Sequence, residues 1–66
     1  MSLQEWLRYI GRRVPWLAQE LGVTKQAVYQ WIDGRSAPRA VHLARIEKMS
    51  AGRVTASTFR EQGVGQ

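Results

Sequence analysis

Lys25, Gln26, Tyr29 and Gln30 project from the first two turns of a segment, 25–33, whose other side carries Ala27, Val28, Trp31 and Ile32. Their chemistry is that of reading base edges in a nucleic-acid groove. A glutamine amide pairs bidentately with adenine N6 and N7, and a lysine ammonium donates to guanine O6 and N7. Each good bidentate contact is worth roughly 1–3 kcal/mol of discrimination between bases. Tyr29 adds a ring that shields the face of this segment, or packs on a methyl group while its hydroxyl donates to phosphate. Around these four stand Arg12 and Arg13 before the preceding helix, Thr24 at the start of the segment, and Arg35 and Arg39 on either side of the loop after it. Those five suit phosphate contacts, which hold register without reading sequence. The guanidinium fork matches two phosphate oxygens at once.

The whole chain leans the same way. Ten Lys and Arg against five Asp and Glu give a net charge of +5 in 66 residues. That balance favours polyanions through long-range attraction and counterion release. Other functions find little to work with. A chain this short makes one small domain and excludes a large enzyme core. With no cysteine, one His and scattered carboxylates (Glu5, Glu20, Asp33, Glu47, Glu61), no disulfide framework or metal site is expected. No nucleophile and base pair or phosphate loop stands out, so neither catalysis nor a cofactor is expected. His42, without a second ligand, is assigned no site. The apolar stretches are too short for a spanning helix or a secretory signal, and the chain reads as soluble and intracellular. A membrane-active cationic peptide would share the charge but not the helix caps and glycine turns that follow.

Ser2 and Glu5 form a capping box that starts a first helix, in which Leu3, Trp6, Leu7 and Ile10 make one apolar stripe before Gly11. Arg12 and Arg13 form a basic joint. Pro15 then suits the first turn of a second helix, about 15–21, with Val14, Leu17, Ala18 and Leu21 inward. Gly22 ends it and Thr24 caps the third helix, so the connection is only about three residues long. Gly34 closes the third helix, and Pro38 is expected at the start of a fourth, about 38–50, with Leu43, Ile46 and Met49 inward. After Gly52 the stretch RVTASTFR carries both strand and helix signals, and a short helical turn ending at Phe59 is preferred. Residues 1–60 form the domain and 61–66 a flexible polar tail. Trp6 and Trp31 belong to the core stripes. Trp16 is expected partly buried, between the first two helices, over the joint at Arg12, or against a sugar-phosphate backbone.

Two short helices joined by a tight glycine turn, the second with a polar outward face, are what a DNA-binding helix-turn-helix requires. The stretch VPWLAQELGVTKQAVYQWIDG resembles the helix-turn-helix of phage Cro-like repressors and of the YdaS-like prophage regulators. The resemblance rests on Ala18 at the small position, Gly22 at the turn, and Val28 and Trp31 at the packing positions. GRSAPRAVHLARIEKMSAGRVTASTFR looks like the same family's fourth helix and tail. It implies an all-α, lambda-repressor-like domain of four to five helices, acting as a homodimeric repressor on a pseudo-palindromic operator in the bacterial cytoplasm, at the nucleoid. Lys25, Gln26, Tyr29 and Gln30 stand where family members read bases. Val54 and Phe59, with Met49 and Val41, are the candidates for the dimer interface, because few other apolar residues remain once one core is filled. YdaS-like relatives also make an antitoxin-type module plausible, with a protein partner and autoregulatory DNA binding.

Overall fold

A computed structural model describes residues 1–61 as five helices: α1 (Leu3–Ile10), α2 (Val14–Leu21), α3 (Lys25–Asp33), α4 (Ala40–Met49) and α5 (Ala56–Glu61). No strand occurs among the described residues, so the ambiguous stretch after Gly52 resolves as helix. α5 runs on to Glu61, one residue into the expected tail, and the rest of that tail, 62–66, lies outside the described residues.

Local chemistry explains where each helix begins. The Ser2 hydroxyl oxygen accepts from the Glu5 N–H at 3.1 Å while the Ser2 N–H donates to Glu5 Oε1 at 2.9 Å, the reciprocal box that satisfies two otherwise unpaired donors. Thr24 Oγ1 accepts from the Ala27 N–H at 3.1 Å and opens α3. α2 and α4 begin differently, on Arg13 and Arg39, with no side-chain cap on either. Pro38 does not start α4 as expected. It is buried, one residue ahead of the Arg39 cap, where an apolar residue fixes the angle at which the chain enters a helix.

Between α2 and α3, Gly22 takes φ 70°, a left-handed conformation that costs other residues about 1–2 kcal/mol. A Cβ built there meets nothing within 4 Å, so backbone conformation and not space is what requires glycine. The turn then closes with the Val23 N–H donating to the Ala18 carbonyl at 3.0 Å.

The core gathers Leu3, Trp6 and Leu7 of α1, Leu17, Ala18 and Leu21 of α2, Val28 and Trp31 of α3, Ile46 of α4, and Val54 and Phe59. Leu43, Met49, Ile32 and Trp16 pack partly buried against it. α5 is bound in by two buried hydroxyls. Ser50 Oγ accepts from the Val54 N–H at 3.1 Å and braces a turn in which Ala51 and Gly52 both have positive φ. Thr58 Oγ1 accepts from the Thr55 N–H at 3.1 Å and donates to the Met1 carbonyl at 3.2 Å. Among the described residues no helix is long and apolar enough to cross a membrane.

The core also corrects one expectation. Val54 and Phe59, predicted for a dimer interface, are 0% and 2% exposed within a single chain. Both belong to the chain's own core. Of the four interface candidates, Met49 is half-buried and Val41 alone is well exposed, at 64%.

Candidate nucleic-acid interface

α3 places its polar side chains by helical geometry. At about 100° per residue, positions 25, 26, 29 and 30 fall within one arc, and 28 and 31 fall opposite them. Val28 and Trp31 are buried, whereas Lys25, Gln26, Tyr29 and Gln30 are all exposed, Tyr29 by half its surface. The four predicted base-reading residues are thus brought together on one open face, and the core fixes the helix beneath them. α2 packs against α3.

Grooves flank this face on both sides. One, of about 350 Å³, runs between α1 and the start of α2 and reaches α3, lined by Gln4, Arg8, Arg13, Val14, Pro15 and Tyr29 among others. The second, of about 300 Å³, lies on the other flank of α3 and is lined by Val23, Ala27, Trp31, Ala37, Arg39 and His42. Each therefore holds one of the two arginines that open an uncapped helix, Arg13 at α2 and Arg39 at α4. Cations beside the positive end of a helix dipole strengthen a local positive field. A polar helix face between two basic edges is the layout that a major groove, about 12 Å wide and bounded by two phosphate strands, would require.

The predicted phosphate residues divide. Arg13 and Arg39 line the grooves. Thr24 keeps its hydroxyl oxygen on the Ala27 N–H, which leaves its own proton to donate outward. Arg35 is exposed at the bend after α3, where its N–H donates to the Gln30 carbonyl at 2.9 Å. Arg12 goes elsewhere: its guanidinium lies over the Trp16 ring, 5.2 Å from the centroid, a cation–π contact that covers the half-buried indole. Of the three places open to Trp16, this is the one over the joint at Arg12.

Gln4, Arg8 and His42, outside the predicted set, also line the grooves. Gln4 and Arg8 sit one turn apart on α1, and that i, i+4 spacing on its polar face was the available signal. His42 lines the other groove half-buried, its ring 6.1 Å from that of Trp31 and tilted by 35°. Trp31 is 5% exposed, so His42 is packed against the residue that anchors α3 and is not a free surface histidine.

Neither the curated proteins nor the solved structures compared with the chain give a match. The family model described as bacterial toxin YdaS matches residues 4–62, from the first turn of α1 to just past α5. That span covers the grooves, the exposed face of α3 and all of the core but Leu3, and the chain belongs to the bacterial toxin YdaS family.

Proposed function

We propose that the chain is a sequence-specific DNA-binding repressor of the Cro-like kind, reading bases in the major groove with α3 and binding a pseudo-palindromic operator as a homodimer. The observation that carries the reading is the exposed quartet Lys25, Gln26, Tyr29 and Gln30 between two grooves that each contain an arginine. The role is non-enzymatic and needs no cofactor. Two copies would place α3 in successive major grooves, with half-sites about 34 Å apart. Selection of the purified protein on randomised duplex DNA at about 0.15 M salt tests this, because non-specific phosphate attraction is already weakened there. Enrichment of a palindrome with half-sites one turn apart is the expected result. Recovery of no sequence would overturn the reading.

The family's description as a toxin favours a second reading, in which the chain is one half of a toxin–antitoxin pair and its DNA binding serves autoregulation. Co-purification of a stoichiometric protein partner from the native host would favour it. A clean homodimer with nanomolar operator affinity would count against it.

A further inference from the structure

We infer that the groove between α1 and the start of α2 is a phosphodiester site in which Arg8 is a principal ligand, so that the nucleic-acid footprint extends beyond the helix-turn-helix onto α1. The inference rests on the DNA-binding reading above.

Backbone donors are scarce at this end of α2. Pro15 has no N–H, and the N–H groups of Trp16 and Leu17 both donate to the Arg13 carbonyl, at 3.1 and 3.3 Å. Anion recognition here therefore falls mainly to side chains, beside the Val14 N–H. Arg8 approaches from α1 and Arg13 from the α2 cap, two arginines of separate elements that line one groove. Gln4, one turn before Arg8, adds an amide donor, and Tyr29 adds a phenol hydroxyl. Among the described residues no carboxylate lines the groove. Glu5, the nearest acid along α1, accepts at Oε1 from the Ser2 N–H at 2.9 Å and is thereby turned towards the N-terminus.

The ligand's form follows from the groove's. Paired guanidinium forks suit an anion with several oxygens, and phosphate contacts of this kind are individually strong and sequence-blind. Because Tyr29 belongs both to the groove and to the reading face, an anion held here is continuous with bases under α3. A strand phosphate bordering the major groove fits that position.

The test is the salt dependence of binding to the selected duplex, measured by fluorescence anisotropy for wild type, Arg8→Gln, Arg8→Lys and Lys48→Gln. Lys48 lies in the last turn of α4 and lines neither groove. Arg8→Gln is expected to reduce the magnitude of the log–log salt slope by about 0.9 per bound copy, so that over a fourfold rise in salt the wild type loses about 3.5 times more affinity per copy. The ranking of sequences should not change. Arg8→Lys should keep the slope, since it keeps the charge, while binding more weakly than wild type because the fork is lost. An unchanged slope in Arg8→Gln, or an equal loss in Lys48→Gln, would overturn the Arg8 assignment and leave the DNA reading standing. A wild type that binds no duplex overturns both.

Discussion

Thr58 Oγ1 donates to the Met1 carbonyl at 3.2 Å, a hydrogen bond between residues 57 positions apart that clasps α5 to the start of the chain. The same oxygen accepts from the Thr55 N–H, and Thr58 is 7% exposed. Replacing Thr58 by Val keeps the shape and removes both bonds, leaving backbone groups without their partners. The expected loss is about 1–3 kcal/mol, read as a fall in the urea midpoint at constant m-value.

Phe59 is expected to matter more. Its ring is 2% exposed in the core of a single chain, so Phe59→Ala should cost about 3–5 kcal/mol in a protein whose total stability is on the order of 5–15 kcal/mol. Truncation after Gly52, which removes Val54 as well, should abolish the cooperative thermal transition. A truncated chain that melted cooperatively and merely failed to dimerise would restore these residues to an intermolecular role.

Base reading and phosphate holding separate by mutation. Gln26→Ala should relax preference at one position of the selected site by about 1–3 kcal/mol, whereas Arg39→Ala should weaken all sequences alike and flatten the salt slope by about 1. Selection repeated with each variant checks both. A Gln26→Ala protein with its sequence preference intact would mean that α3 docks in another register.

Thr24 joins stability to binding through one hydroxyl. Thr24→Val removes the cap on the Ala27 N–H and should cost about 1 kcal/mol, together with affinity for every duplex. Thr24→Ser should restore both, as thermal melts and anisotropy titrations would record.

Acid should act through Glu5. The hydrogen bond from the Ser2 backbone N–H, followed by that with the Ser2 side chain, holds its carboxyl below the ordinary value of 4.5. A carboxyl lowered in the folded state adds stability that is fully present above its unfolded value and is lost as pH falls through the folded one. Urea midpoints measured from pH 7 to pH 3 should therefore decline below about pH 4.5, and part of that decline should be missing in Glu5→Gln.

The sequence disclosed local events better than distant ones. The Ser2 and Glu5 box, the Thr24 cap and the turn at Gly22 each depend on residues within one helical turn, and the spacing alone placed them. The exposed quartet on α3 was legible for the same reason, since 3.6-residue periodicity separates it from Val28 and Trp31. Periodicity reveals that a face is apolar but not which neighbour covers it. Val54 and Phe59 are thus expected at an interface from the sequence, and lie instead in the interior of the single chain. The same limit hid Arg8, whose role depends on the start of α2 lying beside α1. It also hid the parting of Arg12 from Arg13, neighbours in sequence that are drawn to an indole and to a groove.

α2 and α4 open on Arg13 and Arg39 with no side-chain cap, each set against the positive end of its own helix. The folded chain thus carries two like-charge encounters that a bound anion relieves. A solute that binds the folded state alone raises apparent stability by RT ln(1 + [L]/Kd), with no need of DNA. The melting temperature of this protein is consequently a joint property of the chain and its buffer. Phosphate or sulfate should read high and chloride low at matched ionic strength, and the gap between them gauges how far the basic grooves are filled.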